Sequence, residues 1–193
     1  FKWRYVNISM ISKTLRSLAS ACYNLSHMKK SAIYVGRFNP VHNGHVIVVR
    51  QMIERYGLDN CFLVIGSSNA PFSLRHFFSY HERKQFIQKL FPGIKLVGLP
   101  DYHNDGEWLA ALDDIIRVAG MDPAQVTFFG GCEEDIRFFL DDGRDCTILN
   151  RFDGTSVKTS ATEVRDCLIA GRPLEGLIDQ TILPELQSLF KEK

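Results

Sequence analysis

Short runs rich in β-branched residues alternate along this chain with longer segments of helical period, and that alternation narrows its fold more than any other feature. Strand-like runs are read at residues 32–35, 61–65, 94–99, 126–130 and 146–149. Helical segments lie between them at 44–56, 80–90, 108–119 and 133–140, with Pro92-Gly93, Pro100, Pro123 and Gly130-Gly131 as breaks. Apolar strands separated by helices predict an α/β fold: a Rossmann-like, doubly wound parallel sheet of five strands with helices on both faces. Ligands of such sheets bind at the carboxyl ends of the strands, near the topological switch point. The loop after the first strand is therefore where a site is expected.

That loop reads GRFNPVHNGH, residues 36–45. It runs from a strand into a helix and holds a glycine at each end, Gly36 and Gly44. A loop of this form aims main-chain N–H groups and a helix N-terminus at one point, which suits an anion. Arg37, His42 and His45 add donors at the same point, and the simplest ligand for such a set is a polyphosphate. Alone, the two histidines would equally read as a cap, a surface feature or a metal pair.

A second element lies far downstream, in Ser160-Ala161-Thr162-Glu163-Val164-Arg165 at the mouth of a helix reaching about Ala170. Ser160 with Glu163 is a capping box. Capping explains neither Thr162 nor Arg165. Two hydroxyls, a helix N-terminus and an arginine one turn on also form a second phosphate clamp, and both roles are expected together.

These motifs resemble the nucleotidyltransferase superfamily, which carries H-x-G-H after its first strand and S-x-T-x-x-R late in the chain. The archaeal and bifunctional type of nicotinamide-nucleotide adenylyltransferase is the closest likeness. Gly36 to His45 match its G-R-F-x-P-x-H-x-G-H, and Ile65-Gly66-Ser67 match its I-G-S. Ser73 to Arg83, SLRHFFSYHER, match its S-I-R-D-P-F-T-x-x-E-R, and Asn104 with Trp108 match an Asn followed by a Trp after the third strand. The resemblance runs from about Ile33 to the C-terminal helix. It implies a nucleotidyltransferase-type fold that joins ATP to nicotinamide mononucleotide, or its acid form, to give NAD and pyrophosphate. It implies that Arg37, His42 and His45 act catalytically on the α-phosphate. Gly36, Phe38, Gly44, Arg75, Ser160, Thr162 and Arg165 would join them in binding ATP. Trp108 would stack on the nicotinamide ring and Asn104 would bind its carboxamide. Two departures stand out: His76-Phe77 replaces the usual acid or Asn then Pro, and Asn39 stands where Gln is commoner. Relatives of this type assemble, so a homo-oligomer is expected. The bifunctional members carry a second, hydrolase domain, for which no segment is read here.

The chemistry fits these residues independently. In-line attack of a phosphate oxygen on the α-phosphorus of ATP needs no protein nucleophile. It needs positioning and charge neutralisation, with Mg²⁺ arriving on the phosphates and no protein metal site assigned. Two rivals remain: the same fold acting on another acceptor, such as phosphopantetheine or a small alcohol phosphate, and a nucleotide sensor without turnover.

Charge and cysteines exclude other classes. The net charge of +1 hides an asymmetry: residues 1–53 carry eight Lys/Arg and no acid, leaving 15 bases against 22 acids in the rest. A body this acidic argues against nucleic acid as partner. Five cysteines, odd in number and without a CxxC pair, argue against a disulfide framework or a zinc ribbon. No apolar run approaches the roughly 18 residues that span a bilayer, so no membrane is expected. Residues 1–29 read as a basic extension, a transit peptide, partner helix or upstream sequence. Residues 30–193 read as the functional domain, cytoplasmic unless that extension directs import.

Overall fold

The computed structural model describes residues 31–149 and 159–193. The basic extension at 1–29 lies outside them. Five parallel strands form one sheet: β1 (Ser31–Gly36), β2 (Cys61–Ile65), β3 (Lys95–Gly98), β4 (Val126–Gly130) and β5 (Cys146–Ile148), in the order β3-β2-β1-β4-β5. The chain winds outward through β2 and β3, then returns to the other side of β1. The topological switch point therefore lies between β1 and β4. β2 and β4 have the bounds read from sequence, and the other three differ by one or two residues. β3 is short because β2 offers it only the register Phe62↔Lys95 to Ile65↔Gly98.

Alternation along the strands divides the core into two layers. Ala32 and Tyr34 of β1 and Leu63 and Ile65 of β2 face one layer, with α1 (Asn43–Tyr56), α2 (Tyr80–Leu90), α5 (Ala161–Ile169) and α6 (Leu183–Lys191). Ile33, Phe62 and Val64 face the other, with α3 (Asp105–Val118) and α4 (Glu133–Asp141). Both faces of the central strands are dry, which accounts for their continuous apolar runs.

Helix starts moved where caps decided them. α3 begins three residues before the Trp108 expected from periodicity, because Asn104 Oδ1 accepts from the Glu107 N–H at 2.9 Å. α2 has the bounds read from sequence, 80–90. Ser79 caps it, its Oγ accepting from Glu82 N while Glu82 Oε2 accepts from Ser79 N. Four cysteines among the described residues are free thiols. Among the described residues no helix is long and apolar enough to cross a membrane.

Candidate active site

The carboxyl ends of β1 and β2 open into a cleft of about 430 Å³ that reaches Asp135 of α4 on the β4 side of the switch point. One wall is the loop after β1. Gly36 ends the strand, and a Cβ there would come within 3.1 Å of the Phe38 ring. Phe38 adopts a left-handed backbone, φ 50°, which costs a non-glycine residue about 1–2 kcal/mol. Burial of its ring holds it there: it packs edge-on against Tyr34 at 5.2 Å and lies 4.9 Å from the His45 ring.

Asn39 follows, buried, and its amide makes both possible contacts with one residue. Its Nδ2 donates to Phe78 O at 2.8 Å, and its Oδ1 accepts from Phe78 N at 2.9 Å. This locks the β1 loop to the segment carrying Arg75. His42 is the N-cap residue of α1, and His45 lies one turn on with ring centroids 3.7 Å apart. The His42 main-chain N–H donates to His45 Nδ1 at 3.2 Å.

The facing wall is the mouth of α5. Ser160 caps the helix, its Oγ accepting from Glu163 N at 3.1 Å. Arg165 donates through Nη1 to Asn39 O at 2.7 Å and through Nη2 to Thr162 Oγ1 at 3.1 Å. Arg75 lies in a turn closed by His76 N donating to Ser73 Oγ and Ser73 N donating to His76 O. Arg37, Arg75 and Arg165 thus converge on the cleft and on an adjoining groove of about 490 Å³. Burial and the charges of Arg75 and Arg165 all lower the Arg37 pKa, against a smaller opposing effect of Asp101. Arg165 is lowered by burial and by Arg75, opposed by Asp166. Guanidiniums keep their proton regardless, so these shifts describe a strongly positive concavity suited to an anion of high charge.

The loop after β2 forms the floor. Ser67 is a second non-glycine residue in the left-handed region, φ 49°, and its Oγ donates to Asp101 Oδ1 at 2.9 Å. Trp108 also lines the cleft, half-buried and edge-on to Phe138 at 5.7 Å. Beneath the loops lies Arg83, 1 % exposed. Its guanidinium donates to Arg37 O, Gly66 O and Ser67 O at 2.7, 2.8 and 2.9 Å, and to Ser79 O at 3.3 Å.

The cleft therefore gathers Gly36, Arg37, Phe38, His42, His45, Arg75, Trp108, Ser160, Thr162 and Arg165 from four separate stretches of chain. Two expected residues do not line it. Gly44 is buried in the first turn of α1, and Asn104 is exposed with its Oδ1 engaged in capping α3. Sequence reasoning gave no role to Arg83 and treated Asn39 only as a substitution. The signal for Arg83 was present: a charge on the helical face of Phe86, Ile87 and Leu90, where burial was expected. Among the described residues no group of three or more His, Cys, Asp or Glu gathers to hold a metal. Asp101 and Asp135 are carboxylates that line the cleft.

A parallel sheet in this order, with two histidines and three arginines over its switch point, defines a transferase acting on nucleotide phosphates. A cytidylyltransferase-like family model matches residues 33–127, and the chain is similar to proteins of the nucleotidyltransferase superfamily. Within it, the relatives are nicotinamide-nucleotide adenylyltransferases. That of Thermococcus onnurineus is 26 % identical over 161 residues, 80 % of this chain and 81 % of that protein. That of Pyrococcus abyssi is 26 % identical over 163 residues, 81 % of this chain and 82 % of that protein. The fold is shared with a bifunctional NMN adenylyltransferase/ADP ribose pyrophosphatase from Francisella tularensis, at a TM-score of 0.69 and 17 % identity. A second structure so described, complexed with AMP and a manganese ion, gives 0.63 and 20 %. Each match covers 86 % of this chain and 52 % of the other, so the chain spans about half the length of those structures.

Proposed function

We propose that the chain transfers the adenylyl group of ATP to nicotinamide mononucleotide or its acid form, giving the dinucleotide and pyrophosphate. A phosphate oxygen of the mononucleotide attacks the α-phosphorus in line. The new P–O bond forms as the bond to the bridging oxygen of the β-phosphate breaks, and pyrophosphate leaves with that electron pair. The observation that carries this reading is the convergence of Arg37, Arg75 and Arg165 on one cleft with His42 and His45.

In this reading Arg75, Arg165, Ser160 and Thr162 bind the β- and γ-phosphates that become the leaving group. Arg37, His42 and His45 donate to the oxygens on which charge grows, in a pocket partly closed to water. Trp108, which lines the same cleft, would offer its ring to the pyridine. A divalent ion, Mg²⁺ in the cell, would enter with ATP, and the Asp101 and Asp135 carboxylates that line the cleft suit it. When bound it neutralises phosphate oxygens. The substrates are soluble metabolites, and cytoplasm is the compartment we assign.

The test is pyrophosphate release with ATP and Mg²⁺ against nicotinamide mononucleotide, its acid form and phosphopantetheine, repeated with CTP. Turnover confined to ATP with a pyridine mononucleotide is expected. Turnover with another acceptor alone would keep the superfamily and overturn the assignment of Trp108. ATP binding without turnover on any acceptor would replace the enzyme by a sensor.

A further inference from the structure

Arg83 is among the largest fully buried side chains of the protein, yet no carboxylate stands at hydrogen-bond distance from it among the described residues. All its acceptors are main-chain carbonyl oxygens. Burying a cation on such terms is costly, and an apolar residue would pack α2 as well. The cost shows in its pKa, which burial lowers to about 10, with Asp101 and Tyr80 opposing and Arg37 adding to the fall. It remains charged at neutral pH.

What the guanidinium holds explains its place. Arg37 O belongs to the peptide preceding Phe38, and Gly66 O to the peptide preceding Ser67. Phe38 and Ser67 are the two non-glycine residues at positive φ among the described residues, and both line the cleft. A trans peptide carries its C=O and N–H on opposite sides. A carbonyl drawn inward to Arg83 therefore turns the following N–H away from the interior. One side chain sets two strained peptides on neighbouring loops in the same sense, and the Gly66 N–H donating to Gly36 O at 2.9 Å ties those loops together. The Ser79 carbonyl, at the N-cap of α2, is the fourth acceptor, so the segment bearing Arg75 is anchored at its far end to the same group.

We propose that Arg83 is the positioning residue of the phosphate site: it fixes the Arg37–Phe38 and Gly66–Ser67 peptides so that Arg37 and the Phe38 and Ser67 amides meet a bound polyphosphate in a preset geometry. This rests on the reading of the cleft as a nucleotide site. Arg83 touches no substrate and acts through the loops.

Arg83→Lys and Arg83→Met, each in the full chain, test it. Lysine keeps the charge and cannot span four carbonyls; methionine keeps volume without charge. Folding is followed by thermal unfolding, and pyrophosphate and ATP affinities by calorimetry on the folded protein. Instability alone would lower the active fraction and leave the dissociation constant of folded molecules unchanged. Both variants are expected to melt earlier and to bind pyrophosphate about tenfold or more weakly, with KM for the mononucleotide within about twofold of the parent. Wild-type affinity in folded Arg83→Lys would overturn the proposal. Should neither variant fold, the parent decides: the Phe38 and Ser67 amide resonances are expected to shift on adding pyrophosphate, and unmoved amides would overturn it equally. A parent that binds pyrophosphate but transfers nothing to a pyridine mononucleotide would overturn the proposed reaction and leave Arg83 its role. A parent that binds neither ATP nor pyrophosphate would overturn both.

Discussion

The main-chain N–H of His42 donates to His45 Nδ1 at 3.2 Å, so the ring three residues on has its inner nitrogen engaged as an acceptor. A main-chain N–H can only donate. Neutral His45 therefore carries its proton on Nε2, which makes that nitrogen the donor of the ring. The helix start that orders this loop also sets the tautomer of the residue expected to act on the α-phosphate. Replacing His45 by Ala should lower kcat by about 10²–10³-fold, by analogy with loss of one oxyanion-hole donor. The variant also loses the N-cap contact and the ring packing against Phe38 and His42, so steady-state rates and a urea melt together separate the chemistry from stability. An unchanged kcat would remove His45 from the chemistry.

Arg165 spans Asn39 O and Thr162 Oγ1 through two nitrogens of one planar group. Lysine cannot reproduce that fork. Arg165→Lys should raise KM for ATP by about tenfold, the equivalent of about 1.4 kcal/mol, while KM for the mononucleotide changes little. Initial rates with each substrate varied in turn separate the two. Equal changes in both constants would mean that Arg165 does not discriminate between the substrates.

Asn39 is satisfied on both sides of its amide by Phe78, in a site closed to water. Asn39→Leu keeps the volume and leaves a buried N–H and C=O without partners. Loss of about 2–6 kcal/mol of stability is expected, at about 1–3 kcal/mol for each of the two orphaned groups. Chemical denaturation measures it, and ATP binding should weaken in parallel as the Arg75 segment loosens.

His76 is held neutral below its ordinary pKa of 6.5 by burial and by the charges of Arg37, Arg75 and Arg83, with Asp101 opposing. The sign follows directly. Below pH 6.5 the unfolded chain takes up a proton that the folded one refuses, so this contribution to stability is complete above 6.5 and is lost as the pH falls toward the folded value. A bound polyphosphate offsets the arginines and should raise the His76 pKa. An NMR titration of His76 with and without pyrophosphate measures the change. A pKa indifferent to the anion would mean that the ligand does not sit among these arginines.

Trp108 lines the cleft with a ring that also packs against Phe138 and Phe139. Trp108→Phe keeps the packing and shrinks the stacking surface, and Trp108→Ala removes both. KM for the mononucleotide should rise in that order with KM for ATP unchanged. A loss of stability in Trp108→Ala without any change in the acceptor KM would assign the ring to the core.

The sequence by itself determined the class of fold, because the periods of its apolar residues are local facts. β2, β4 and α2 have the bounds read from them, since each is closed by residues that act on their own peptide, such as the Ser79 cap and the turn at Pro92-Gly93. It also pointed to the two stretches proposed to bind phosphate, because GRFNPVHNGH and SATEVR each carry their donors within one loop or helix turn. Only the tertiary structure decided which groups hold those stretches together. The Asn39 pair with Phe78 joins residues 39 apart in sequence, the Arg165 bond to Asn39 O joins residues 126 apart, and Arg83 gathers three loops at once. Such contacts leave no periodicity behind them. A buried amide or guanidinium is placed by unpaired carbonyls and amides that come from elsewhere in the chain, and these meet only when the sheet has brought its strand ends together.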